Sequence, residues 1–167
     1  LVAASNGMCI HFHEKDVRPV GRTAMGVKAM NIPDDVDLVA LTIVNPGDEI
    51  VTVTQTGYGK RSSIDDYPIQ QRAGKGVKAG VFNDKTGGLA SLMVLPEAMD
   101  VMMITDGGII IRVQAEEISK MGRATQGVRI MKLKDDKMKV MSMDLTPHED
   151  EEEVELDEEG NPIVKEG

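Results

Sequence analysis

Cysteine occurs once among the 167 residues, as Cys9. A disulfide framework and a cysteine-rich zinc site are therefore excluded. Tryptophan is missing and aromatics total only 2%, so β-branched residues, leucine and methionine must supply most of any core. No apolar run reaches the roughly 18 residues of a membrane-crossing helix. The opening Leu1-Val2-Ala3-Ala4-Ser5 has no basic stretch before it, as a secretion signal would. A soluble intracellular protein with no membrane partner is the expectation, and a start inside an apolar run without Met points to a segment of a longer chain. Hydrolase signatures such as HExxH and GxSxG are absent. Ala73-Gly74-Lys75-Gly76 lacks the long glycine-rich lead and the Ser/Thr of a magnesium-nucleotide loop. The acid pairs Asp34-Asp35, Asp65-Asp66 and Asp135-Asp136 fall in polar connections, without a sign of convergence on a catalytic cleft.

Hydrophobic residues make up 41% and the formal net charge is −9. On its face that charge argues against nucleic acid, but its distribution reverses the argument. Residues 1–147 balance 18 basic against 18 acidic side chains, and the whole −9 belongs to residues 148–167. That stretch repels itself and cannot build a core, so a disordered acidic tail is expected. Such a tail either aids solubility or competes for basic surface.

The remainder repeats. Gly7, Gly57 and Gly108 each open a segment that leads to an apolar residue, Val17, Tyr67 or Ile118. Arg22, Arg72 and Arg123 follow, then Gly26, Gly76 and Gly127, then Val27, Val77 and Val128, then Lys28, Lys78 and Arg129. The offsets stay at 50 and 51, a period that signals a repeat architecture. The expected units are residues 1–46, 47–96 and 97–147, followed by the tail at 148–167. Each has strand grammar: residues 49–54 and 100–105 as first strands, 8–13, 59–64 and 109–114 as second strands, a third at each Gly-Val pair, and 38–44, 89–95 and 138–143 as fourth. No long amphipathic helical period interrupts them. Met93, Met102, Met103, Met138, Met141 and Met143 on these strands read as flexible core filling. The reading is all-β, a propeller-like array of about three four-stranded blades that bury one another.

A basic residue stands on each side of a glycine-centred turn in all three copies, Gly74 adding a further turn glycine in the second. Arginine offers a planar fork for phosphate oxygens and lysine a point charge. Matching Arg61 and Arg112 (His11 in the first unit), with Arg18, Lys60, Lys75 and Lys132, add positive charge to the same units. Equivalent units would align these cations into a curved track that follows a duplex through its backbone. The bland alternative is pairing with Asp16, Asp66 and Glu117, which also recur. Cys9, His11 and His13 alternate along a strand, but their counterparts share no ligand chemistry, and no metal site is expected.

The segments Asn6-Gly7-Met8-Cys9-Ile10-His11-Phe12, Val17-Arg18-Pro19-Val20-Gly21-Arg22 and Thr56-Gly57-Tyr58-Gly59-Lys60-Arg61 resemble the blade signatures of the C-terminal domain of the DNA gyrase A subunit. The topoisomerase IV domain is its close relative. The family's Q-R-R-G-G-K-G box has only a degenerate match in Gln71-Arg72-Ala73-Gly74-Lys75-Gly76. The resemblance implies a β-pinwheel with strand exchange between blades, here the last three blades plus tail. It implies double-stranded DNA wrapped on a basic perimeter, in support of ATP-dependent negative supercoiling, with no catalysis in the fragment. The DNA-cleaving tyrosine would lie upstream, so Tyr58 and Tyr67 are not candidates. By the same resemblance the partners are the gyrase B subunit, together with the N-terminal part of the gyrase A subunit, in an A2B2 holoenzyme. No cofactor is expected in the fragment, ATP and Mg2+ belong to the holoenzyme, and the location is cytoplasmic, on the bacterial chromosome. A topoisomerase IV domain, or a protein-binding β-repeat scaffold without DNA affinity, is the alternative.

Overall fold

The computed structural model describes residues 1–149. Of the expected acidic tail, residues 150–167 lie outside the described residues. The described chain is all-β. Its strands are β1 (Val2–Ala4), β2 (Met8–Ile10), β3 (Leu38–Leu41), β4 (Glu49–Thr54), β5 (Tyr58–Ser63), β6 (Val77–Lys78), β7 (Leu89–Leu95), β8 (Met99–Thr105), β9 (Ile110–Gln114), β10 (Val128–Arg129) and β11 (Val140–Pro147). The only helical pieces among the described residues are single 3-10 turns at Glu14–Asp16, Ile64–Asp66 and Ala115–Glu117.

The strands form three antiparallel sheets, ordered β3-β1-β2-β6, β10-β5-β4-β7 and β11-β8-β9. Each begins with a hairpin closed by a short turn, where Gly7, Gly57 and Gly108 donate their N–H to the carbonyls of Ala4, Thr54 and Thr105 at 2.9–3.0 Å. The short third strand does not stay with its own unit. β6 of the second unit pairs with β2 of the first, Met8 opposite Lys78. β10 of the third pairs with β5 of the second, Val128 opposite Gly59.

That exchange accounts for the differences from the sequence reading. The expected strand at Val27-Lys28 carries no ladder, because its partner would be the second strand of a unit ahead of it. The third sheet has three strands rather than four, because nothing after residue 147 supplies the crossing strand among the described residues. The expected strand over residues 8–13 stops at Ile10, and the one over 138–143 is displaced to Val140–Pro147.

The cores sit between units. Alternate residues of a strand face opposite ways, and β4 sends Ile50 to one cluster and Val51 and Val53 to another. The first cluster joins Leu1, Ala3 and Cys9 to Tyr67, Leu89 and Leu92. The second joins Val51, Val53 and Leu95 to Val101, Met103, Ile118 and Met143. Met103 and Met143 fill core as expected, whereas Met141 is exposed. Where no neighbour covers the first unit, core-type positions lie open. Leu41 is 78% exposed against 2% for its counterpart Leu92, and Val17 is 43% exposed against 2% for Tyr67.

The box glycines show why the repeat demands them. Gly76 and Gly127 have φ of 77° and 84°, and a Cβ on them would stand 2.2 Å from the Cys9 carbonyl oxygen and 2.7 Å from that of Gly59. Gly26 has φ of 81° but nothing within 4 Å. Gly26→Ala should therefore cost only the left-handed backbone penalty of about 1–2 kcal/mol. Gly76→Ala should cost about 1–3 kcal/mol more through overpacking. Urea unfolding of the two variants checks this, and equal losses would show that the junction yields freely.

Candidate nucleic-acid interface

Two junctions join the three units, and they are built alike. At the first, Arg72 Nε donates to the Asp16 carbonyl at 3.1 Å and Nη1 to the Lys28 carbonyl. At the second, Arg123 Nε donates to the Asp66 carbonyl at 2.8 Å and Nη1 to the Lys78 carbonyl. The recurring arginine and acid do meet, but through the acid's main chain rather than its carboxylate. A planar guanidinium suits this task because it reaches two carbonyls at once. Arg22, with no unit ahead of it among the described residues, is exposed.

A second lock runs the other way. His11 Nδ1 lies 2.9 Å from the Tyr67 carbonyl oxygen; a carbonyl only accepts, so that nitrogen carries the hydrogen. Arg61 Nε donates to the matching carbonyl of Ile118 at 2.7 Å. Arg61 Nη1 also meets Glu49 Oε2 at 3.1 Å, and Lys120 pairs with the other oxygen of Glu49. Arg112, in the last unit, instead bonds Asp100 Oδ2 at 2.7 Å and the Pro147 carbonyl at 2.9 Å.

Lys60 points inward. It is 2% exposed, and its ammonium donates to the carbonyls of Gly122 (3.2 Å), Thr125 (2.8 Å) and Arg123, so it grips the third unit's box turn. Burial draws it down to about 8, with the Arg123 charge adding to the effect. The matching Ile10 takes the equivalent place at the first junction, 3.7 Å from where a Cβ on Gly74 would stand. Cys9 is fully buried, its Sγ donates to the Val77 carbonyl at 3.4 Å, and burial pushes the thiol up to about 11.

The other sequence-derived cations remain outward. Arg18, Lys28, Lys75, Lys78, Arg129 and Lys132 are exposed. Among the described residues none of these six has a carboxylate within ion-pair distance; the pairs use Arg61, Arg112, Lys120 and His148. Each box turn docks on the preceding unit in the same way. Asn31 donates to the Gly74 carbonyl at 2.8 Å and Val81 to the Thr125 carbonyl at 3.2 Å. The second and third box turns therefore dock on equivalent places of successive units. Sequence reasoning missed Lys85, whose Nζ lies 5.6 Å from the centre of the Tyr58 ring. It has no basic counterpart in the other units, so the repeat register held no signal for it.

This arrangement defines a β-propeller-type array of units joined by strand exchange. The profile of the family described as DNA gyrase C-terminal domain, beta-propeller, matches residues 1–45, 48–96 and 100–147. The chain belongs to this family. It is 36% identical over 168 residues to the DNA gyrase A subunit of Staphylococcus aureus, covering 99% of this chain and 19% of that one. The chain thus spans about a fifth of the length of the curated relatives it matches. Among solved structures, the C-terminal domain of DNA topoisomerase IV superposes with a TM-score of 0.80 at 23% identity, covering 89% of this chain and 46% of that one. A DNA gyrase A C-terminal domain gives 0.76 at 21% identity, covering 85% and 48%. At those identities the two structures support the fold.

The locks make two predictions. Arg123→Met should destabilise the chain by about 1.5–3 kcal/mol, the range for hydrogen bonds made by a charged group. Arg22→Met should stay within about 0.5 kcal/mol; urea unfolding distinguishes them. The Lys120 hydrogen bond, with Arg61, holds the Glu49 carboxyl below the usual carboxylate range. A depressed carboxylate stabilises fully above its unfolded value of about 4.3 and loses that contribution as pH falls through its folded value. Thermal melts from pH 6 downward should show Glu49→Gln with a shallower acid decline than the parent; parallel declines would remove Glu49 from the junction.

Proposed function

We propose that this chain is a non-catalytic, DNA-binding and DNA-wrapping part of a DNA gyrase A subunit. One observation carries the reading: the two junctions repeat the same geometry, and exposed cations without carboxylate partners flank both. A duplex laid along such a margin neutralises its phosphates on regularly spaced charges and bends to follow them. The relative at 36% identity is a gyrase A subunit, which favours gyrase over topoisomerase IV. In the whole enzyme the wrapped duplex supports ATP-dependent negative supercoiling, in an A2B2 assembly with the gyrase B subunit, joined by the N-terminal part of the gyrase A subunit. The open apolar face of the first unit suits a further repeat of the same design. No helix among the described residues is long and apolar enough to cross a membrane, and the proposed site of action is the bacterial chromosome in the cytoplasm.

The chemistry of the residues supports a role without catalysis. The Tyr67 hydroxyl is buried against Ser62 Oγ at 3.1 Å, and burial pushes it up to about 12, the reverse of an activated nucleophile. The described residues offer no cluster of three metal-ligating side chains, and the sequence lacks a nucleotide-phosphate loop. On the gyrase reading, ATP and Mg2+ belong to other parts of the enzyme.

Salt-titrated binding of short and long duplexes tests the reading. Affinity should fall steeply with salt, with a log–log slope of about 0.9 per phosphate contacted and little dependence on sequence. Reversing Lys28, Lys75 and Lys78 to Glu should weaken binding and flatten that slope. Removal of residues 150–167 should strengthen binding or leave it unchanged. A scaffold that binds only protein would show no duplex affinity even at low salt, and that result would overturn the proposal.

A further inference from the structure

We infer that Tyr58, Lys85 and Arg129 form a phosphate-oxyanion site on the middle unit, occupied by a backbone phosphodiester. The identity of that occupant rests on the DNA-binding reading above; the site itself rests on its own geometry.

Arg129 lies directly opposite Tyr58 in the β10–β5 ladder. Its Nη2 stands 3.4 Å from the Tyr58 hydroxyl and its Cζ 5.3 Å from the ring centre. Lys85 approaches the same ring from the loop between β6 and β7. That loop is pinned: the Thr56 hydroxyl donates to the Lys85 carbonyl at 2.7 Å, and the Lys85 N–H donates to Asn83 Oδ1 at 3.0 Å. Both cations therefore sit on fixed backbone, one by strand pairing and one by a braced loop.

Their charge is uncompensated. Neither Lys85 nor Arg129 has a carboxylate within 4.0 Å among the described residues. The ring attracts each by only about 0.5–2 kcal/mol, and the two like charges oppose one another across it. An oxyanion beside the hydroxyl relieves that repulsion. It also accepts from the guanidinium, the ammonium and the phenol O–H together. Burial pushes the phenol up, yet Arg129 and Lys85 bring it below its ordinary value, in keeping with a positive local potential.

The cluster is particular to this unit. In the first unit Met8 replaces the tyrosine, with Lys78 opposite, and Asp34 and Asp35 occupy the place of Lys85. In the third, Ile109 and Asp136 stand at the matching positions. Acids at the place of Lys85 repel phosphate, so of the three copies only the middle one sets a cation at that position beside a tyrosine.

The test uses Lys85→Gln and Tyr58→Phe in the protein, with melting temperatures checked against the parent. Duplex binding is followed by fluorescence anisotropy across a salt series. Lys85→Gln should weaken binding and lower the log–log slope by about 0.9. Tyr58→Phe should weaken it by about two- to tenfold, the effect of one hydrogen bond. In a second arm, inorganic phosphate is titrated at constant ionic strength while the Tyr58 ring is followed by NMR, with buried Tyr67 as the internal reference. A saturable shift in phosphate, absent in chloride and lost in Lys85→Gln, supports the site. An unchanged duplex slope together with that shift overturns the phosphodiester as occupant and leaves a free phosphate group in its place. No shift and an unchanged slope, with the Lys28, Lys75 and Lys78 reversal still flattening binding, overturn the site while sparing the DNA-binding reading.

Discussion

The structure depends on main-chain carbonyls at the junction between units finding donors from the neighbouring unit. A strand pair of this length cannot bury a core alone, and here the apolar clusters lie between sheets rather than inside one unit. Each junction must therefore bring backbone into close contact, where an unpaired carbonyl is costly. The crossing strand takes some of these groups. Arg72, Arg123, Arg61, His11 and Lys60 take others. The glycine after each box turn lets the chain approach closely enough for the strand to cross at all.

From this constraint follows a division of labour among cations that look alike in the sequence. Those aimed at the neighbour hold the array together, and their charge serves to strengthen hydrogen bonds to neutral carbonyls. Lys78 and Arg129 on the crossing strands, and Lys28 at the matching position, turn no head group to a main-chain carbonyl at the seam and remain exposed. The regular seam spaces the exposed set. Seam-holding and solvent-facing cations are thus two consequences of one repeat.

The repeat also sets where individuality can enter. A seam position can change chemistry, since Ile10 and Lys60 are two different fillings of the same place beside a box turn. The loop before the fourth strand meets the box turn through main-chain N–H groups, those of Asn31 and Val81, which do not depend on side-chain identity. The position of Lys85 holds acids in the first and third units, so local charge at that one place differs between copies of the repeat.

Period, strand order and the recurrence of Arg, Gly, Val and Lys or Arg were legible in the sequence, because a 50-residue spacing imposes them on the chain. The all-β class followed from the same pattern. Which arginines face solvent was not legible: Arg22, Arg72 and Arg123 occupy one register position, yet the first is exposed while the other two bind carbonyls of the preceding unit. The sequence by itself determined what repeats. Only the tertiary structure decided which copy of each repeated residue has a neighbour to hold, because that depends on main-chain atoms 44 to 65 residues away along the chain.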